Sequence, residues 1–138
     1  MHYIDKILFH FDLFGDLCKN LYKNMQVSQI CELLSATIIC GNKYSSATIE
    51  RGYSSDLMSD VLTLDTDNLL LITGLCNLQT IRTSEMADIK FIVFVRNKKL
   101  NDEMLALAKE NNMCILESPF TLFKASGLLY QAGLKPVY

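Results

Sequence analysis

Leu-Leu-Leu-Ile-Thr, residues 69–73, is a continuous apolar run that ends in a polar threonine, and Gly74 follows it. Because neither face of the run is polar, it predicts a strand buried on both faces, as strands are in a parallel sheet. The runs Ile89–Val95 and Met113–Leu116 have the same character. Three such strands predict a central sheet with helices packed on it.

Helices are predicted to connect these strands, over residues 77–87, 101–111 and 118–132. Asn77, Asn101 and Ser118 stand at their first positions, where a short polar side chain can cap the free N–H groups of a helix. Pro119, directly after Ser118, is a residue typical of the first helical position. Gly133 is typical of the position that follows the end of a helix. Strand and helix therefore alternate through the second half of the chain, which predicts parallel strands joined by right-handed crossovers.

The first half of the chain predicts shorter elements. They are a helix over Val27–Leu34, a strand over Ala36–Cys40, a short strand over Ala47–Glu50 that Gly52 ends, and a short helix that residues 54–56 cap and that reaches Leu62. The fold class that follows is α/β: a mostly parallel sheet flanked by helices, with an extra helix at the N-terminus.

Residues 1–24 precede this α/β domain, which we assign to residues 25–138. Residues 3–23 predict an amphipathic helix, because apolar residues recur at spacings of three and four. The helix can be a dimerisation arm, or it can dock on its own domain; alternatively the physiological chain starts at Met25 and the segment is an extension. The sequence leaves these three interpretations open. The apolar stripe consists of Ile4, Ile7, Phe11, Phe14, Cys18, Leu21 and Met25.

Charge and hydropathy argue against two classes of partner. The formal net charge is −2, so the chain lacks the basic surface that nucleic acid requires. No apolar run reaches the ~18 residues of a membrane span, and the N-terminus has no signal pattern, so we expect a cytoplasmic protein. Charged residues make up only 20% of the chain, which mildly favours an oligomer.

The five cysteines are scattered, and no two are separated by two residues, so neither a zinc knuckle nor a thioredoxin-like motif is formed. Most of them lie in apolar stretches. This placement predicts buried, reduced thiols and a reducing compartment. No metal site and no cofactor are predicted.

The sequence also argues against catalysis. His2 and His10 both precede the α/β domain, so no serine or cysteine of that domain has a histidine base within it. The phosphate-binding patterns Gly-Lys-Ser/Thr and Gly-x-Gly-x-x-Gly are absent. Asp56 and Asp60 lie four apart on one predicted helix and could hold a metal or act as acid and base, although the helix dipole alone explains Asp56. No catalytic residue is predicted.

Polar residues cluster where the predicted strands end. The carboxyl ends of parallel strands meet at one edge of a sheet, where ligands bind in open α/β folds. Helix N-termini and arginine both favour an anion, so we predict a small anionic ligand there. A simpler account is also open, in which threonine and glycine form a turn and asparagine caps a helix. The candidate ligand-binding residues are Thr73, Gly74, Asn77, Arg82, Arg96, Asn97 and Ser118.

Four stretches resemble the DRTGG domain family in their order and spacing. They are Arg51–Leu62, Leu71–Met86, Phe94–Lys99 and Ser126–Leu134, within a likeness that runs from about Met25 to Leu134. The contiguous letters Asp-Arg-Thr-Gly-Gly do not occur in the chain, so no ligand role is carried over from them.

The resemblance implies a fold similar to the N-terminal domain of HPr kinase, and a regulatory or assembly domain, often a homodimer, without established activity. Family members occur fused to CBS-domain proteins and pyrophosphatases or as stand-alone proteins, some of them associated with iron-hydrogenase genes. Two functions follow as expectations. One is a non-catalytic regulatory module that senses a small anionic ligand, and the other is a protein-interaction or assembly subunit accessory to a redox enzyme of the iron-hydrogenase type.

Overall fold

The computed structural model describes residues 22–138. Most of the predicted N-terminal helix and both histidines fall in residues 1–21 and so lie outside the described residues. Residues 22–24 form neither helix nor strand, and Met25 begins a strand. The predicted helix over 3–23 is therefore wrong at its C-terminal end, and Met25 does not continue its stripe.

The described residues form eight strands, five α-helices and one 3₁₀ turn. The strands are β1 (Met25–Gln26), β2 (Thr37–Cys40), β3 (Thr48–Ile49), β4 (Arg51–Ser54), β5 (Leu69–Thr73), β6 (Phe91–Phe94), β7 (Cys114–Glu117) and β8 (Lys135–Pro136). The helices are α1 (Val27–Leu34), α2 (Met58–Val61), α3 (Leu78–Met86), α4 (Asp102–Glu110) and α5 (Leu122–Gln131), and the 3₁₀ turn is Asn42–Tyr44. None of the helices in this part of the chain is long and apolar enough to cross a bilayer.

Six strands form the main sheet in the order β2-β7-β6-β5-β4-β8, and β1 pairs with β3 in a small antiparallel sheet of its own. All neighbours in the main sheet are parallel except β2, which runs antiparallel to β7 with an irregular register between Ile38 and Cys40. The prediction of a mostly parallel α/β sheet flanked by helices is confirmed.

The central strands β5, β6 and β7 are buried at every position. Leu70 and Ile72 pack with α1 and α5 on one face, whereas Leu69 and Leu71 pack with α2, α3 and α4 on the other. Successive side chains of a strand point to opposite faces, so a strand that is apolar at successive positions has to be covered on both sides. Helices on both faces of the sheet meet that requirement.

Several local predictions are confirmed. α1 and β5 have the predicted bounds. Asn77 and Asn101 are helix caps, and each side-chain oxygen accepts a 2.9 Å hydrogen bond from the backbone N–H three residues later. Gly133 follows α5 with a φ of 105°, the left-handed conformation expected after a helix.

Other local predictions are wrong. Gly52 does not end a strand: it lies inside β4, where the absence of a side chain makes room for Leu134. The helix predicted from residues 54–56 begins only at Met58, because β4 continues to Ser54. Ser118 and Pro119 do not open α5, whose cap is Thr121, with its side-chain oxygen accepting from the Lys124 N–H. The short strand β8 at one edge of the main sheet and its neighbour β4 were not predicted.

Gly41, which follows β2, provides a test of the sheet edge. It has a φ of 82°, and a Cβ added there would lie 2.6 Å from the Met113 carbonyl oxygen. We expect Gly41→Ala to lower the free energy of unfolding by about 2–4 kcal/mol, from left-handed strain and overpacking together. Urea denaturation measures the change.

Gly127 in α5 is the matched control, since a Cβ there meets nothing within 4 Å. Gly127→Ala should raise the free energy of unfolding by about 1 kcal/mol, because alanine favours a helix interior. Equal effects of the two substitutions would contradict the described packing around β2.

Candidate functional site

The carboxyl ends of four parallel strands lie at one edge of the sheet. In the register, Ser54 of β4 pairs with Ile72, Thr73 of β5 pairs with Phe94, and Phe94 of β6 pairs with Glu117. The loops that leave these ends therefore start side by side. This is the edge at which the sequence predicts a ligand.

Asp56, in the loop after β4, binds the end of β5. Its Oδ1 atom accepts one hydrogen bond of 2.9 Å from the Thr73 hydroxyl and another of 2.7 Å from the Gly74 N–H. The Thr73 oxygen in turn accepts from the Leu75 N–H at 3.1 Å. The donors that an external anion would need are thus already bound to a carboxylate of the chain itself.

Arg96, in the loop after β6, lies over Gly74. Its Nη2 atom donates a 3.1 Å hydrogen bond to the Gly74 carbonyl and lies 3.9 Å from Asp56 Oδ2. A Cβ added at Gly74 would come within 2.6 Å of the guanidinium. Glycine at position 74 is therefore what allows the arginine to lie against the end of β5. We call Asp56, Thr73, Gly74 and Arg96 the strand-end cluster.

The backbone of Arg96 is strained. Arg96 and Asn97 have φ values of 59° and 57°, and the Lys98 N–H points back to the Val95 carbonyl at 3.4 Å. Left-handed conformations at both central positions of a turn usually require glycine or asparagine, and cost other residues about 1–2 kcal/mol. The other non-glycine residues with positive φ in the described chain have short polar side chains: Ser35, Asn68, Asp88, Asn97 and Asn112. A long charged residue in this conformation suggests a functional constraint.

Neighbouring loops hold the Arg96 turn in place. The Arg96 N–H donates to the Phe120 carbonyl at 2.7 Å, and the Asn97 N–H donates to the Ser118 carbonyl at 3.0 Å. Glu117, at the end of β7, accepts a 2.9 Å hydrogen bond from the Leu100 N–H through a side chain that is only 8% exposed. The turn is therefore bound to the start of the segment that leads into α5.

The remaining predicted site residues are not joined to the strand-end cluster by any side-chain hydrogen bond or ion pair within residues 22–138. The Asn77 side-chain oxygen caps α3 by accepting from the Thr80 N–H and hydroxyl. Ser118 is buried, donates to the Leu34 carbonyl at 2.7 Å, and accepts from the Phe120 N–H. Arg82 and Asn97 are exposed. The simpler account, in which the asparagine caps a helix, therefore fits Asn77.

Asp56 and Asp60 do not form a common site. The Asp56 carboxylate is bound to the end of β5, whereas Asp60 lies exposed on α2. Within the described chain no group of three His, Cys, Asp or Glu side chains could hold a metal ion. The observed role of Asp56 as an acceptor for Thr73 and Gly74 was not predicted, because it depends on the pairing of β4 with β5.

The thiols in the described residues are poor nucleophiles. Burial raises the pKa of the Cys31, Cys40 and Cys76 thiols above the usual value, and raises the pKa of Cys114 to about 12. A thiol has to lose its proton to attack a substrate, so burial makes these four groups weaker nucleophiles.

The two aspartates provide a matched test of the strand-end cluster. Asp56→Ala leaves the Gly74 N–H and the Thr73 hydroxyl without their acceptor, so the free energy of unfolding should fall by about 1–3 kcal/mol. Asp60→Ala removes the same charge from an exposed position and should change it by no more than ~0.5 kcal/mol. Chemical denaturation of both variants measures the difference, and equal losses would rule out the anchoring role of Asp56.

No protein-family model matches the chain, and no curated protein matches it. Among solved structures, the fold is similar to the CBS and DRTGG domains of the regulatory region of Clostridium perfringens pyrophosphatase, in a complex with the activator diadenosine tetraphosphate. The TM-score is 0.63 at 17% sequence identity, and the match covers 76% of this chain but only 46% of that one. The likeness shows that this chain has a DRTGG-like α/β fold.

Proposed function

We propose that the protein is a non-catalytic regulatory module that binds a small phosphate-bearing ligand at the carboxyl edge of its sheet, with Arg96 as the main contact. The observation that carries the proposal is the Arg96 side chain, which is 50% exposed at the end of β6 on a strained backbone. Strain in a backbone persists only where the surrounding structure enforces it, and it concentrates at functional sites.

The contacts of Arg96 leave donors for a ligand. Within the described residues, both recorded side-chain contacts are made by Nη2, whereas a guanidinium carries five N–H donors. An ion pair as exposed as that with Asp56 contributes only about 0–1 kcal/mol. Charge-assisted bonds from arginine to phosphate are about twice as strong as neutral hydrogen bonds, so a phosphate group can bind the outer side of Arg96.

The ligand class is supported by the structural relative. The regulatory region of Clostridium perfringens pyrophosphatase was solved with diadenosine tetraphosphate, an activator that carries phosphate groups. The strand-end cluster of this chain offers a phosphate group an exposed guanidinium beside a partly exposed carboxylate. The ligand that we propose and the activator of the relative therefore both carry phosphate groups.

The positions of the histidines and the burial of the thiols support a regulatory rather than a catalytic role. Both histidines of the chain are at positions 2 and 10, before the described domain. Burial raises the pKa of the described thiols and so disfavours the thiolate form that nucleophilic attack requires. A domain with these histidine positions and buried thiols is suited to bind a ligand rather than to convert a substrate. The homodimer implied by the family resemblance stays a prediction.

A thermal-shift screen with diadenosine tetraphosphate, ATP, AMP and inorganic phosphate tests the proposal. A ligand at 100 times its Kd stabilises the folded state by about 2.7 kcal/mol, so at least one phosphate compound should raise Tm by several degrees. Arg96→Gly should abolish that shift. The variant should stay within ~1 kcal/mol of the parent protein, because relief of the left-handed strain offsets the lost contacts.

Two further variants make the test specific. Gly74→Ala places a methyl group where the Arg96 guanidinium lies, so it should displace this flexible side chain and weaken binding about tenfold, with little loss of stability. Lys90→Gln removes one exposed positive charge at the opposite end of β6 and should leave the Tm shift unchanged. Lack of any shift in the parent protein, or an equal loss in Lys90→Gln, would contradict the proposal.

A further inference from the structure

A second surface lies on the face of the sheet that α5 covers. It is an apolar groove of about 340 Å³ between α5 and the strands β4 and β8, and we call it the α5 groove. A volume of this size lies within the range of small-molecule binding sites, which is about 300–1,000 Å³. The lining of the α5 groove includes Ser54 and Ile72 of the sheet and Phe123, Ser126 and Gly127 of α5.

The α5 groove reaches the carboxyl edge of the sheet. Ser54 is the last residue of β4, and its partner in the register, Ile72, directly precedes Thr73 of the strand-end cluster. α5 runs away from this edge, because it follows the carboxyl end of β7 and leads to β8, which pairs with the start of β4. Phe123, in the first turn of α5, therefore lies near the end of the groove that is closer to the strand-end cluster.

The lining suits a flat aromatic group with a polar edge. Phe123 is 90% exposed, and Gly127, one turn further along α5, leaves open space, since a Cβ there would meet nothing within 4 Å. The Ser54 and Ser126 hydroxyls are hydrogen-bonded to each other at 2.6 Å. Only one of the two O–H groups is used in this bond, so the other can donate to a ring nitrogen or carbonyl oxygen of a ligand.

A second cation lies near both the α5 groove and the strand-end cluster. Lys124 follows Phe123 on α5, and its Nζ atom lies 3.8 Å from the centroid of the Phe120 ring. The Phe120 carbonyl in turn accepts the Arg96 N–H at 2.7 Å. Neighbouring strands are about 4.8 Å apart, so the ends of β4 and β6, with β5 between them, are separated by about 10 Å. A chain of linked phosphates can cross this distance beside the two cations.

We propose that the phosphate-bearing ligand is a nucleotide whose aromatic base occupies the α5 groove, while its phosphates pass Lys124 and reach Arg96. This inference rests on the proposed function, because it takes Arg96 as the main phosphate contact. The base stacks on the Phe123 ring, and the Ser54–Ser126 pair contacts its polar edge. The α5 groove thereby adds a preference for nucleotides over inorganic phosphates, which the strand-end cluster alone does not supply.

Isothermal titration calorimetry of the full chain with ATP, GTP, UTP and inorganic tripolyphosphate measures the contribution of the base. All four compounds carry three linked phosphates, and they differ chiefly in the nucleoside. At least one of the nucleotides should bind about tenfold more tightly than tripolyphosphate, because stacking of the base is available only to a nucleotide.

Variants of the α5 groove test where the base binds. Phe123→Ala removes the stacking ring, and Gly127→Leu fills the open space with a good helix former, so each should abolish most of the preference for the nucleotide without lowering Tm. Lys124→Gln should weaken nucleotide and tripolyphosphate alike. The matched control Met86→Ala removes another exposed apolar side chain, from α3 on the other face of the sheet, and should preserve the preference.

The remaining outcomes overturn the inference in distinguishable ways. Equal binding of tripolyphosphate and all three nucleotides, lost in Arg96→Gly, would exclude the base site and leave the proposed function intact. Binding of none of the four compounds would overturn both. A preference that survives Phe123→Ala and Gly127→Leu would place the base elsewhere. A Phe123→Ala protein that keeps the preference but loses a dimer in light scattering would assign the α5 groove to a second copy.

Discussion

Burial of β5, β6 and β7 on both faces is the constraint on which the rest of the structure depends. Strands without a polar face need helices on both sides, and parallel strands need crossovers that return the chain to the same end. The carboxyl ends of the strands are thereby collected at one edge. The loops at that edge carry Asp56, Gly74 and Arg96, which are distant in sequence but hydrogen-bonded or ion-paired in the fold.

The strand-end cluster differs from an open anion site in one respect. Its two best internal donors, the Gly74 N–H and the Thr73 hydroxyl, already bind the Asp56 carboxylate. The binding position that we propose for an anion is therefore the exposed side of the Arg96 guanidinium. The carboxylate and the Gly74 carbonyl orient the guanidinium, and the hydrogen bonds of the Arg96 turn to Phe120 and Ser118 oppose relaxation of the backbone. Orientation before binding reduces the entropy that a ligand has to offset.

The apolar α5 groove between α5 and the strands β4 and β8 is a surface separate from the strand-end cluster. The groove lies between α5 and β4 and is apolar, whereas the cluster lies at the carboxyl edge and is charged. The contacts that we propose for the base and for the phosphates therefore involve different residues and can be examined separately.

Local sequence determined β5, α1 and the caps at Asn77 and Asn101, because uniform apolar runs, helical periodicity and side-chain-to-backbone bonds act within a few residues. It also indicated the edge where Thr73, Gly74 and Arg96 meet, since that follows from the parallel order. Only the tertiary structure decided that Gly52 continues a strand, that Ser118 joins β7 to the end of α1, and that Asp56 binds β5. Each of these features depends on a partner that is distant in sequence. Contacts of this kind form only when the chain folds, so the residues next to each position carry no pattern that predicts them.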